Sequence, residues 1–421
     1  MNRIILAVAL VMPAVSFAAS SQAVAQEQVP SKRAADSKKS DVYQPVGARV
    51  GSFGFFPDLK VEQVYDDNYY KKKTNGDKQH YTTVKPSVSL RSDWNSHALR
   101  LDASVEHGEF WGATADNYDH ADVRVRGKID VTKATNIRLE GQARMLTEAR
   151  GGDDVASDAA DPTEYVRQNA SVSFNHKSNR VSLSGGVEAN RYDYDDSATI
   201  GGSTTNNDDR DRMERKVTGR VGYEIQKGYE GFVRAEYGLV DYKAGVDDAG
   251  ANRDSDGYKI EGGLALQLSK LLRGDVGVGW LSRSFDDTQF KEFSALAANG
   301  NLIWSATSLT DVRVFIGREV NETTTSGTSA TLLTSYGIGV AHEFLRNLKA
   351  KAELKFTTTD YEGDTTTNRE DDQVKASVGL SYDVNRNIYC GASYTYEERD
   401  SNVVANDYDR NIYKVSVGLR F

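Results

Sequence analysis

Six histidines, one cysteine and 61 carboxylates in 421 residues are the side chains that could do acid–base, metal or nucleophilic chemistry. His120 stands between Asp119 and Asp122, the nearest approach to an Asp/His pair of the kind hydrolases use. No nucleophile or orienting group accompanies it, and acid-rich loops supply such neighbours by chance. The expectation is no enzyme and no catalytic residue. His342-Glu343 lacks the second histidine of a zinc-protease helix. Asp254-Ser255-Asp256-Gly257 and Asp209-Arg210-Asp211 carry the opening acids of a calcium loop without the bidentate Glu that completes one. No metal and no cofactor are therefore expected. Cys390, between Ile388 and Ala392 in an alternating run, has no cysteine to pair with and reads as a small apolar filler.

The more abundant chemistry is charge. Arg100, Arg124, Arg126, Lys128, Arg138, Arg220, Arg234, Lys349, Lys351, Lys355, Lys375 and Arg420 occupy the polar positions of runs whose other positions are apolar or small. If these polar faces enclose water, the twelve cations are candidate lumen-lining residues, outnumbering the carboxylates on the same faces, such as Asp102, Glu140 and Glu353. Two readings stay open. A low-dielectric wall could focus the field of fixed cations and favour anions, or the charges could satisfy one another in a cross-strand ladder of ion pairs. The formal net charge is -9, so the remaining acids must gather in the longer joints, such as Asp208-Asp209-Arg210-Asp211 and Glu370-Asp371-Asp372. An acidic total argues against a nucleic-acid partner, since phosphate neutralisation needs a basic face.

The elements that must carry these charges have period two. Leu99, Leu101, Ala103 and Val105 alternate with Arg100, Asp102, Ser104 and Glu106, and Val123 and Val125 alternate with Arg124 and Arg126. Such alternation puts successive side chains on opposite faces of an extended chain. Short joints, such as Asp93 to Ser96 and Arg346-Asn347, alternate with longer Gly/Asp/Asn/Thr-rich ones, such as Tyr69 to Gln79 and Asp195 to Asp209. Strict short-long alternation over about eighteen runs predicts an all-β fold. The expected form is a single transmembrane up-and-down antiparallel β-barrel with short periplasmic turns and longer extracellular loops. Propeller blades would need shorter strands. A soluble sandwich also has one polar face per strand, so the ending separates them. Tyr413, Val415, Val417, Leu419 and Phe421 alternate with polar or small residues up to a terminal aromatic. This resembles the carboxy-terminal signature by which bacterial outer-membrane barrels are recognised for assembly. Tyr65, Tyr69, Tyr118, Tyr192, Tyr194, Tyr242, Tyr361, Tyr394, Tyr396 and Tyr408, with Trp94, Trp111, Trp280 and Trp304, lie near run ends and read as interfacial girdles.

Residues 1–25 have the positive start, apolar run and small-residue cleavage site of a signal peptide, implying Sec-dependent export. Residues 26–46 read as a flexible periplasmic lead-in and 47–421 as the barrel. The barrel opens with Gly47-Ala48-Arg49-Val50-Gly51-Ser52-Phe53, then Pro57-Asp58-Leu59, then Tyr65-Asp66-Asp67-Asn68. This opening is similar to that of the β-barrel porin 2 family of Gram-negative outer-membrane proteins, and strand spacing continues the resemblance to Phe421. The resemblance implies an association with exopolysaccharide production or export and carries over no catalytic residue. Tyr65 would sit at the membrane rim, where the strand gives way to a solvated acidic loop. The expected partners are outer-membrane lipids and lipopolysaccharide, the barrel-assembly machinery, and a polysaccharide or its periplasmic export proteins. The expected function is porin-like transport, passive passage of polar or anionic solutes. The alternatives are an occluded structural or ligand-binding surface barrel and, further off, a rim hydrolase.

Overall fold

A computed structural model describes residues 41–421 apart from 153, 156–158, 269–270, 326 and 364–368. The expected signal peptide and residues 26–40 of the lead-in lie outside the described residues. The first seven barrel strands are β1 (Phe53–Asp66), β2 (Gln79–Ser92), β3 (Ala98–Phe110), β4 (Tyr118–Asp130), β5 (Thr135–Thr147), β6 (Glu164–Ser178) and β7 (Val181–Tyr194). The next six are β8 (Arg212–Gln226), β9 (Tyr229–Tyr242), β10 (Ser255–Leu268), β11 (Leu272–Phe285), β12 (Phe293–Ser305) and β13 (Thr310–Asn321). The last five are β14 (Thr328–Leu345), β15 (Leu348–Gly363), β16 (Glu370–Asp383), β17 (Ile388–Ser401) and β18 (Tyr408–Arg420).

Each strand pairs antiparallel with the next, and β18 pairs back onto β1 from Asp58↔Arg420 to Asp66↔Ile412, closing an 18-strand barrel. Closure removes the sheet edge, the only way a sheet can lie in lipid without stranded N–H and C=O groups. All the short joints fall at one end and all the long ones at the other, as the sequence predicts. Eighteen strands at their usual spacing and tilt enclose roughly 35 Å between opposing backbones, too wide for side chains to fill.

The two faces differ as the alternation requires. Val217, Val221, Val233, Ile260, Leu264 and Val415 are half exposed and face outward, as lipid-facing residues must. Two outward aromatic belts flank them. Tyr65, Tyr237, Tyr258, Trp280, Tyr336 and Tyr413 form the belt nearer the long loops; Tyr223, Trp304, Phe344, Tyr382 and Phe421 form the belt nearer the short turns. The girdle assignment needs correction for seven tyrosines. Tyr118, Tyr192, Tyr194, Tyr242, Tyr361 and Tyr408 lie on the inner face, and Tyr69 lies in a loop packed on Phe110 and Tyr81. Near the mouth neither face meets hydrocarbon, so aromatic rings there seat arginines and loops. Tyr192, for example, lies under Arg212, 4.2 Å from guanidinium to ring centre.

The acidic stretch ending β1 is likewise not solvated. Asp66 is fully buried and accepts Arg410 Nε at 2.8 and 3.0 Å, while Asn68 reaches the Asp409 carbonyl at 2.8 Å. The pair bridges the closing strands β1 and β18. Removing one partner of a buried pair strands the other charge, so Asp66→Ala should destabilise the barrel by about 3–5 kcal/mol. Urea unfolding in detergent micelles measures this; a loss below about 1 kcal/mol would mean the pair behaves as a surface one.

One joint in the wall is unlike the rest. β12 and β13 pair only from Ser305↔Asp311 to Asn299↔Gly317, whereas β13 and β14 stay paired from Thr310↔His342 to Asn321↔Thr331. Beyond Gly317 the β13–β14 hairpin leans inward. Val320 and Leu332, on what would be its outer face, pack on Leu281, Phe293, Ala295 and Ala297 of the inner face of β11 and β12. The wall is lapped there, and its overlap is the one apolar cluster among the described residues.

Candidate functional site

All twelve sequence-predicted cations project from the inner face, because their neighbours in register share it: Arg100↔Arg126, Lys128↔Arg138, Arg220↔Arg234 and Lys355↔Lys375. Arg100 and Arg126 converge on Asp102, at 2.8 and 2.9 Å. Arg124 faces Glu140 at 3.5 Å, Lys128 faces Asp130 at 2.7 Å and Arg220 faces Glu230 at 2.7 Å. Arg234 meets Glu261 at 2.8 Å, Arg420 meets Asp383 at 2.6 Å, Lys349 lies 3.9 Å from Glu343, and Lys375 is bonded to Glu397. The ladder of ion pairs therefore accounts for nine of the twelve. Arg138, Lys351 and Lys355 pair with no carboxylate among the described residues. Any fixed-charge selectivity from these positions must come mainly from those three and from the one excess cation where Arg100 and Arg126 share Asp102, since a fully matched pair contributes little field at a distance.

The pairing suggested by sequence for His120 does not form. Its Nε2 accepts the Thr147 N–H at 3.1 Å and its ring stacks on Tyr118. Asp119 is instead bonded to His107 at 2.9 Å, and Asp122 to Arg144 at 3.0 Å and Gln142 at 2.8 Å. The calcium-like acids have protein partners too. Asp211 accepts the Tyr194 N–H at 2.7 Å and Lys243 at 2.9 Å, and Asp254 accepts the Tyr242 N–H at 2.6 Å. Among the described residues no cluster of three or more His, Cys, Asp or Glu could hold a metal. Cys390 lies on the outward face of β17, its Sγ 3.8 Å from the Tyr382 carbonyl.

What sequence reading missed is a roof. Arg150, Arg210 and Arg253, in three different long loops, are at most 6% exposed. Arg150 donates to Asp116 at 2.8 Å and to the Ala159 and Ala160 carbonyls at 2.7 Å each, drawing three segments together. Arg210 donates to Glu148 at 2.9 Å over the Tyr194 ring, and Ala159 bridges to Thr199. Arg253 donates to the Thr323 and Thr328 carbonyls at 2.7 and 2.9 Å. Asp154 accepts Thr323 Oγ1 at 2.7 Å and the Thr324 N–H at 3.1 Å. The Asp154 and Thr323 loops rise from walls eight strands apart on a circle of eighteen. They are nearly opposite, so their contact lies across the mouth. Burial, with Asp116 beside it, pushes the Tyr70 hydroxyl in this roof up to about 12. The signal available in sequence was the arginines set among loop acids, which composition alone reads as solvated.

The roof should resist mild acid. Burial would raise the Asp247 carboxyl, but the Ala251 N–H, Arg253 and the Ala249 N–H outweigh it and hold the group below its ordinary value. A carboxyl with a depressed value stabilises the fold above its unfolded value and loses that contribution only as pH falls through the folded one. The Asp247–Arg253 latch should thus persist from pH 8 to about 5 and fail only below about 4. Limited proteolysis of the loops across this range is the check, and cleavage that rises already at about pH 6 would contradict it.

Comparison with solved structures returns a copper transporter and siderophore receptors at low identity. The copper transporter OprC is 11% identical, with a TM-score of 0.48 over 89% of this chain and 81% of that one. The siderophore receptor PiuA from Acinetobacter baumannii is 9% identical, with a TM-score of 0.46 over 89% and 82%. The ferric enterobactin receptor PfeA from Pseudomonas aeruginosa is 8% identical, with a TM-score of 0.45 over 90% and 82%. No protein of curated function matches. The family model described as Putative beta-barrel porin 2 matches residues 41–421, wall, turns and roof together, and the chain belongs to that family of outer-membrane β-barrels.

Proposed function

We propose that this barrel is a passive channel for polar solutes with a preference for anions, exported by the Sec route and assembled into the outer membrane by the barrel-assembly machinery. Lipopolysaccharide would surround its outer rim. The observation that supports the anion preference is the set of unpaired inner-wall cations Arg138, Lys351 and Lys355. Transport needs no covalent chemistry and no cofactor, only a hydrated path with a biased potential. Exopolysaccharide export or biosynthesis is the proposed cellular setting; it rests on the family resemblance.

Reversal potentials in a planar bilayer under a salt gradient test this. Wild type should favour chloride over potassium. The K351Q/K355Q double variant should lower that preference by about twofold or more, because it removes two cations that form no ion pair among the described residues and leaves the Glu353 carboxylate between them on the same face. The R220Q/E230Q double variant, which removes a cation together with the carboxylate it faces, should change it little. Cation preference in the wild type would overturn the reading. A second reading, a barrel closed at its outer end whose loops bind a ligand, is favoured by the Asp154–Thr323 contact, and absence of conductance in a correctly folded sample would select it.

A further inference from the structure

We propose that the cleft between the inner wall and the inward-leaning β13–β14 hairpin is a binding site for a small polar solute carrying a phosphate or carboxylate. The proposal deepens the channel reading by assigning the lumen a specific stopping point. The cleft holds about 390 Å³, within the size range of small-molecule sites. It is lined by Arg167 of β6, Tyr192 of β7, Arg212 and Lys216 of β8, Lys259 of β10 and Arg283 of β11, with Arg318 on the hairpin side. Opposing these six cations are Glu214, Glu236, Glu319 and Glu322.

The balance inside the cleft is positive because carboxylates are shared. Glu236 lies 3.4 Å from Lys216 and 3.7 Å from Lys259, so one acid serves two ammonium groups. Arg212 is held by Glu214 at 3.0 Å and Arg283 by Glu322. Arg318 is held loosely, 3.3 Å from the Leu296 carbonyl and 4.0 Å from Asp360. A second observation points to a ligand. The Nε atoms of Arg283 and Arg318 are buried and have no hydrogen-bond partner among the described residues. Buried donors without partners are uncommon, and a guanidinium with a vacant N–H is suited to an oxyanion. Tyr192, clamped beneath Arg167 and Arg212 at 5.3 and 4.2 Å, adds a ring against which the uncharged part of a solute can lie. The site exists only because the hairpin leaves the wall beyond Gly317, which brings Arg318 opposite Lys259 and Arg283.

Isothermal titration calorimetry on the detergent-solubilised full chain tests the site without requiring conductance, with glucose 6-phosphate and glucose as probes. Wild type should bind glucose 6-phosphate saturably at one site, and glucose should give no saturable heat. Arg318→Gln and, on the opposite wall, Lys259→Gln should each weaken binding at least tenfold, and Arg318→Lys should retain more of it than Arg318→Gln. Lys227→Gln, in the short turn between β8 and β9 and outside the cleft, should bind as wild type. Heat-modifiable gel migration confirms that each variant is a folded barrel. Three results would overturn the proposal: no saturable binding by folded wild type up to millimolar probe, equal binding of glucose, or unchanged affinity in both R318Q and K259Q. A barrel that binds the probe yet does not conduct would refute the channel reading and leave the site standing.

Discussion

Excising residues 151–160 and rejoining the chain should raise single-channel conductance several-fold. The argument is geometric. A barrel of this strand number has a backbone diameter of roughly 35 Å, and its inner wall is polar along its length, so the wall alone would form a wide aqueous pore. The loops narrow it. Arg150 ties the 148–163 loop to Asp116 on one side, Ala159 joins it to Thr199 on the other, and Asp154 carries it to Thr323 across the mouth. Excision removes the last two ties while leaving every barrel strand intact. Asp154→Ala, which releases only the contact to Thr323, Thr324 and Thr325, should give a smaller increase with larger current fluctuations. If the excised protein conducts no better than wild type, the roof is not the constriction and the limiting section lies deeper in the lumen.

Deleting Phe421 should reduce the amount of folded barrel recovered from outer membranes by at least tenfold, with little change in the stability of barrel refolded in detergent. The structure explains why the two effects separate. Phe421 is 59% exposed and follows the last paired residue of β18; its backbone N–H donates to the Pro57 carbonyl at 3.1 Å. Its ring continues the outward row of Tyr413, Val415, Val417 and Leu419, all about half exposed. A residue with so little burial contributes little to folding free energy, and its loss should cost within about 0.5 kcal/mol. A large assembly defect must then arise from recognition of the unfolded ending. Quantifying the heat-modifiable species in membrane fractions, beside urea unfolding of refolded protein, separates the two. Normal membrane levels of the deletion variant would remove the terminal aromatic from the assembly signal.

The membrane design was legible in the chain because it depends on local rules. Period-two alternation fixes which side chains share a face, and the alternation of short and long joints anticipated from turn residues is the one observed, so strand number, closure and the polarity of the inner wall followed directly. The twelve cations could be assigned to one face for the same reason. Which carboxylate each would meet could not, because Arg126 and Asp102 or Arg234 and Glu261 become neighbours only once strand register is set. The tyrosines near the mouth were misassigned because, beyond the hydrocarbon, alternation no longer distinguishes a ring facing lipid from one seating an arginine. The roof and the lapped joint are tertiary decisions altogether. Asp154 meets Thr323 across 169 positions of sequence, and loops have no periodicity to announce where they fold. Alternation determined a wall with a greasy outside and a hydrated inside; long-range contacts among arginines, acids and loop carbonyls decided how far that interior opens.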